Sequence, residues 1–216
     1  MSPKRVAVID YGMGNLRSVC AALSRLGAEP AVTADPAELA RADALVLPGV
    51  GAFGDAAGAL SSRGLTGAVR CAAAAAADGA GRPFLGICLG LQLLFRASEE
   101  APGVEGLGVL PGAVRRFPER SPDGAGLKVP HMGWNEVTVA SAGALTAGLS
   151  GGERFYFVHS FYAAPERPGD IALACEYGGV RFAAMAARGR LFATQFHPEK
   201  SQARGLAMLG EFLKLV

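Results

Sequence analysis

The sequence predicts an α/β fold: a doubly wound, mostly parallel central sheet flanked by helices, with an antiparallel extension. Three observations carry this. Strand-like and helix-like segments alternate through the first 95 residues, the pattern of parallel strands joined by crossover helices. From about residue 110 the texture changes to short strand-like pieces separated by Gly, Pro and Asp. Half of the 216 residues are hydrophobic and only 19% are charged, which suits a sizeable core and rules out global disorder.

The elements follow in order. "RVAVID" (5–10) is a short β-branched run and reads as a strand. "LRSVCAALSRLG" (16–27) puts Leu16, Val19, Leu23 and Leu26 on one helical face, with Gly27 as the stop. "ALVLPG" (44–49) is a buried type of strand closed by Pro48 and Gly49. "LTGAVRCAAAAAADG" (65–79) is a helix of high propensity, either packed or facing solvent. "RPFLGI" (82–87) is a strand, and a helix begins at or just after Cys88. "GAVRRF", "NEVTV", "ERFYFVHSFYA", "IALACEY", "VRFAAMAA" and "LFATQFHP" are the later strands, suggesting an antiparallel or mixed extension of the sheet, and "SPDGAG" (121–126) is a turn. "SQARGLAMLGEFLKLV" closes the chain as a helix, with Leu206, Leu209, Phe212 and Leu213 on one face and Ser201 or Gln202 near its cap. No linker and no repeat divides the chain, so one domain over residues 1–216 is expected.

Composition narrows the function. The net charge is +2 and no run of Lys and Arg occurs, which gives no support for nucleic-acid binding. Apolar stretches break well short of the roughly 20 residues that span a bilayer, and the N-terminal run is too short for a signal peptide. A soluble, cytoplasmic protein without a membrane partner is expected. Cys20, Cys71, Cys88 and Cys175 are scattered with no CxxC, so no disulfide framework, metal site or cofactor is expected. Cys20, Cys71 and Cys175 lie in apolar runs and read as core.

Cys88 is different. Gly86-Ile87-Cys88-Leu89-Gly90 has the form G-x-C-x-G between a strand and a helix, the layout of a nucleophile elbow with Cys in place of Ser. A sharp turn there strains the backbone, and side chains at Gly86 or Gly90 would collide with it. A thiol at a helix N-terminus is favoured as thiolate, and the Leu89 N–H would face an oxyanion. The stretch by itself also suits a buried structural cysteine.

A cysteine nucleophile needs a base. The chain has three histidines, His131, His159 and His197. His197 follows a strand, and on an extended backbone Glu199, two residues on, would project to the same side and orient the ring. A capping histidine before the last helix is the other reading. "VLPGVGAFGDA" (46–56) ends another strand in a Gly-rich turn, where Gly49, Val50 and Gly51 offer backbone N–H groups and a peptide free to flip. Walker spacing is absent, and "DYGMGN" is a poor dinucleotide fingerprint because Arg17 takes the place of the third glycine.

"GICLGLQ", "LPGVGAFGDA" and "QFHPEKS" together resemble the class I (triad) glutamine amidotransferase family, a flavodoxin-like α/β fold. "DYGMGN", "KVPHMGWN" and "FVHSFY" are similar to its branch of glutaminase subunits of imidazole glycerol phosphate synthases. The resemblance runs from residue 6 to the C-terminus. Leu91 stands where Met is usual and Phe161 where Tyr is usual. The resemblance implies Cys88 as nucleophile, His197 as general base and acid, and Glu199 as the orienting carboxylate. L-Glutamine is then hydrolysed through a cysteinyl thioester, with Leu89 N–H and the Gly49–Val50 peptide on the oxyanion. Glu100, rather than Glu99, meets the substrate ammonium, and His159, Ser160 and Phe161 are further contacts. Gln92, one turn after Cys88, faces the same pocket as a donor to the substrate carboxylate.

The resemblance also implies a (β/α)8-barrel cyclase partner, in a heterodimer, that receives the ammonia and makes imidazole glycerol phosphate and aminoimidazole carboxamide ribotide in histidine biosynthesis. Asn15, Lys128, Met132, Trp134, Tyr156 and Lys200 fall on the implied docking surface. Trp134, the only tryptophan, lies in a Gly-rich loop and suits an exposed interface anchor, with core packing as the other reading. Two other functions remain open on the sequence: a glutaminase serving another acceptor, and a non-catalytic docking subunit.

Overall fold

A computed structural model describes residues 4–216. Its strands are β1 (Arg5–Ile9), β2 (Glu29–Thr33), β3 (Ala44–Gly49), β4 (Phe84–Cys88), β5 (Phe95–Ser98) and β6 (Leu110–Arg116), then β7 (His131–Val139), β8 (Glu153–His159), β9 (Phe161–Pro165), β10 (Ile171–Tyr177), β11 (Val180–Arg188) and β12 (Leu191–Thr194). The helices are α1 (Leu16–Arg25), α2 (Pro36–Arg41), α3 (Phe53–Ser62), α4 (Thr66–Ala77), α5 (Leu89–Gln92) and α6 (Gln202–Lys214).

A nine-stranded sheet runs in the order β2-β1-β3-β4-β12-β11-β10-β7-β8. The strands from β2 to β12 are parallel neighbours, and from β12 onward the pairings are antiparallel. The antiparallel extension is therefore as broad as the parallel part. Side chains alternate across β1: Val6 and Val8 pack with Val19 and Leu23 of α1 and Leu209 and Phe212 of α6. Ala7 and Ile9 pack on the other face with Phe53 and Leu60 of α3 and Val69 and Ala73 of α4. Helices on both faces make the sheet doubly wound. The alanine-rich helix α4 is packed along one side, with Ala73, Ala76 and Ala77 buried.

Several local expectations are corrected. "ERFYFVHSFYA" is not one strand. It breaks at Ser160, and Phe161 onward pairs with β6 in a separate three-stranded sheet, β5-β6-β9. "GAVRRF" belongs to that small sheet too, not to the extension. The period-2 pattern of Phe155, Phe157, His159 and Phe161 continues through the break, so the pattern hides it. The elbow helix is a single turn: α5 ends at Gln92 and the chain enters β5 three residues later. Leu93 and Leu94 are fully buried, so this run has no polar face to support a longer surface helix. In α6 the buried face uses Met208, and Leu206 is only half-buried. Cys175 is core, Cys20 is half-buried, and Cys71 is exposed on the outer side of α4, not core.

Candidate active site

The parallel half of the sheet positions the elbow. Cys88 is the last residue of β4, with φ +56° and ψ −108°, a strained conformation for a residue with a Cβ. The flanking glycines have identifiable steric causes. A Cβ on Gly90 would lie 1.9 Å from the Leu47 carbonyl oxygen, and one on Gly86 would lie 2.9 Å from the Gly90 carbonyl oxygen. On the neighbouring strand, Gly49 is the register partner of Cys88. A Cβ there would sit 2.5 Å from the Tyr11 hydroxyl and 2.8 Å from Leu89 Cβ. The helix-dipole argument for a thiolate is weak here, since α5 has only one turn of aligned peptides.

β12 lies beside β4 and delivers the base. His197 and Glu199 are both buried, and Nδ1 is bonded to Glu199 Oε1 at 2.9 Å. The two side chains meet across a 3₁₀ turn, Pro198–Lys200, not along an extended backbone as expected. With Nδ1–H donated to the carboxylate, Nε2 is the ring nitrogen left on the Cys88 side. Burial pushes the imidazole pKa down. Hydrogen-bonding contact with Cys88 and Glu199 outweighs it and raises the value to about 9. Nε2 nevertheless completes no hydrogen bond of good geometry. The Glu199 bond therefore holds the ring on the cavity it shares with Cys88. Ser201 is the N-cap residue of α6, as expected, but its hydroxyl makes no capping bond: it donates to the His197 carbonyl at 2.7 Å and accepts from Tyr156 N–H at 3.0 Å.

Cys88, Leu89 and His197 open onto a cavity of about 310 Å³. Gln92, Glu100, His159, Ser160 and Phe161 all line it, as do Val50 and Gly51. Gly51 has φ +101°, which favours glycine. Gly49 lies beneath this wall against Tyr11 and Leu89 and does not line the cavity. Glu100 is the carboxylate of the pair that reaches the cavity. Its Oε2 accepts from Phe53 N–H at 2.8 Å, capping α3 from a distance. Glu99 turns away to Arg115 and the Arg116 N–H.

Gln92 corrects one expectation. Its Nε2 donates to the Phe161 carbonyl at 2.9 Å and to Gln195 Oε1 at 3.2 Å. Both N–H bonds are used, so only its oxygen is free, and it cannot donate to a substrate carboxylate.

Behind the cavity runs a chain of neutral imidazoles. The Phe161 carbonyl accepts from His159 Nδ1 at 2.8 Å, which leaves His159 Nε2 to accept from His131 Nδ1 at 3.0 Å. Asn135 Nδ2 then donates to His131 Nε2 at 3.2 Å. Burial lowers His131 to about 4, and burial with the neighbouring histidines lowers His159 to about 3. Among the described residues no cluster of three His, Cys, Asp or Glu is placed to hold a metal ion.

Sequence reasoning missed Tyr11, Pro130, Val158 and Gln195 at this site, and the roles of His131 and Asn135. Gln195 left a signal: it is a polar residue inside the apolar run "LFATQF". The others lie inside "DYGMGN", "KVPHMGWN" and "FVHSFY", but their partners are on distant strands, so their roles could not be read from those motifs.

The outer face of β7 and β8 carries three of the six expected docking residues, Met132, Trp134 and Tyr156. Met132 is 60% exposed and Trp134 41% exposed, so Trp134 is not a core residue. Trp134 is the register partner of half-buried Tyr156, their rings in edge contact at 6.1 Å. Lys128 and Lys200 are exposed. Asn15 is engaged within the chain, its side chain accepting from Ser18 N–H as the cap of α1.

An elbow cysteine beside a His–Glu pair, at the carboxyl edge of a doubly wound sheet, defines a class of cysteine-dependent acyl-transfer proteins. The chain belongs to the glutamine amidotransferase class-I family, whose model matches residues 7–215. It is 52% identical over 211 residues to the imidazole glycerol phosphate synthase subunit HisH of Moorella thermoacetica, covering 98% of this chain and 95% of that protein. It is 50% identical over 207 residues to the subunit of the same name from Rhodopirellula baltica, covering 96% of each. Among solved structures, "Structure of PurLQS from Thermotoga maritima" shares the fold with a TM-score of 0.73 at 22% identity, over 98% of each chain.

Proposed function

We propose that this chain, as one domain over residues 1–216, is the glutaminase subunit of an imidazole glycerol phosphate synthase of histidine biosynthesis. It hydrolyses glutamine and passes the ammonia to a (β/α)8-barrel cyclase in the cytoplasm. The observation that carries the reading is the buried His197–Glu199 pair on the same cavity as Cys88, in a chain about half identical to subunits of that name.

The chemistry follows from the geometry. His197 Nε2 takes the Cys88 proton, and the sulfur attacks the γ-amide carbonyl of glutamine. The negative oxygen is met by Leu89 N–H and by the Val50 N–H after the Gly49–Val50 peptide turns. The imidazolium returns its proton to the leaving nitrogen, the C–N bond breaks, and ammonia departs from a thioester. Water, activated by His197, then releases glutamate and restores the thiol. The Glu100 oxygen not used by Phe53 receives the substrate ammonium. The outer face of β7 and β8, with Met132, Trp134 and Tyr156, docks the cyclase.

The test is the reconstituted complex. Cys88→Ala is expected to abolish glutamine-dependent product formation and to leave ammonia-dependent formation intact. Loss of both assigns Cys88 a structural role and overturns the reading. The chain without cyclase is expected to release glutamate slowly, and equal rates with and without cyclase and its nucleotide overturn the coupling.

A further inference from the structure

Gln195 is fully buried, two residues before His197. Its Nε2 lies 3.8 Å from Cys88 Sγ. No role at the site has yet been given to it. Its orientation follows from one main-chain group. The Phe161 carbonyl can only accept, so Gln92 must turn its N–H bonds toward it. The second N–H of Gln92 then faces Gln195, which must answer with its oxygen. That leaves the N–H bonds of Gln195 facing the sulfur. The reverse orientation would oppose two donors at Gln92 and turn a carbonyl lone pair on the thiolate.

We propose that Gln195 is a further functional residue of this centre: its carboxamide N–H donates to the Cys88 sulfur and favours the thiolate, its polarity set through Gln92 by the Phe161 carbonyl. The inference rests on the reading of Cys88 as nucleophile. Gln195 carries no titratable proton, so it stabilises charge without competing with His197 as base. It also takes over the part that a one-turn α5 is too short to play. The other groups facing this region are the His197 imidazole, the Tyr11 hydroxyl, His159 and Glu100, with the Val158 carbonyl 4.0 Å from the sulfur as an acceptor for the thiol.

The test is alkylation of Cys88 by iodoacetamide in the full chain, between about pH 5 and pH 10, read by peptide mass spectrometry to separate it from exposed Cys71. Gln195→Met keeps the length and removes the donor. It is expected to move the midpoint up by about one pH unit, with the alkaline plateau unchanged. Gln195→Glu, which sets a carboxylate against the sulfur, is expected to move it further. Gln92→Met frees Gln195 to reorient and is expected to give a smaller shift of the same sign. If neither Gln195 variant folds, Gln92→Met decides the question with the same readout. Folded variants with unshifted midpoints overturn the role of Gln195. A Cys88 less reactive than Cys71 in the unaltered chain overturns the nucleophile reading instead.

Discussion

The main-chain N–H of His197 donates to the Tyr156 carbonyl at 3.0 Å. Ser201 closes the same junction from the other side, bonding Tyr156 N–H and the His197 carbonyl. Tyr156 carries Trp134 as its cross-strand partner. The outer face that carries Trp134 and the residue His197 are thus one hydrogen bond apart.

Trp134→Ala is expected to weaken the complex with the cyclase by about 2 kcal/mol, roughly 30-fold in Kd. Calorimetric titration of the folded chain with cyclase measures it. The thermal midpoint of the chain alone is expected to stay put, because the ring is 41% exposed and contributes little to the core.

Glu199→Gln keeps the shape of the side chain and removes its charge. The imidazole then loses one of the contacts that raise it to about 9, and the ring loses its fixed tautomer. Glutamine-dependent kcat in the complex is expected to fall about 10²–10⁴-fold with KM nearly unchanged. Steady-state glutamate release measures it, with ammonia-dependent product formation as the internal control.

Stability has two pH limbs of opposite sign. Burial lowers His131 and His159 to about 4 and about 3 from the usual 6.5, so the unfolded chain binds more protons below pH 6.5. Their contribution is full above 6.5 and is lost as pH falls toward 4 and 3. His197 is raised to about 9, so its contribution is full below 6.5 and is lost as pH rises through 9. Urea midpoints are expected to peak near pH 6.5. His131→Gln flattens the acid limb, and His197→Gln flattens the alkaline one.

Two glycines respond oppositely to alanine. Gly90→Ala drives a Cβ into the Leu47 carbonyl and is expected to cost about 3 kcal/mol or more, or to prevent folding. Gly58→Ala, exposed within α3 with nothing within 4 Å of the new Cβ, is expected to stabilise by about 0.5–1 kcal/mol. Denaturant melts of the two variants check the pair.

Tyr11→Phe removes a buried hydroxyl that has no partner. Unfolding stability is expected to hold or rise, by up to about 1–3 kcal/mol, since a stranded donor is relieved. A fall in the thermal midpoint shows instead that the hydroxyl is engaged in the folded chain.

The sequence by itself determined the alternating fold of its first half, the strand–turn–helix elbow at Cys88 and the closeness of His197 to Glu199. Those features are local: a strand, a tight turn flanked by glycines, and a His and Glu two residues apart leave their marks within a few positions. Tertiary structure decided the rest. The break at Ser160 is invisible because the alternation runs straight through it. The orientation of Gln92 was misread because its two hydrogen bonds go to residues 69 and 103 positions away. The neutral tautomers of His131 and His159 and the direction of Gln195 depend on one carbonyl, that of Phe161. A main-chain carbonyl is the same at every position of a sequence. It acquires a role only when the fold brings the side chains of His159 and Gln92 to it, with Gln195 one bond further on.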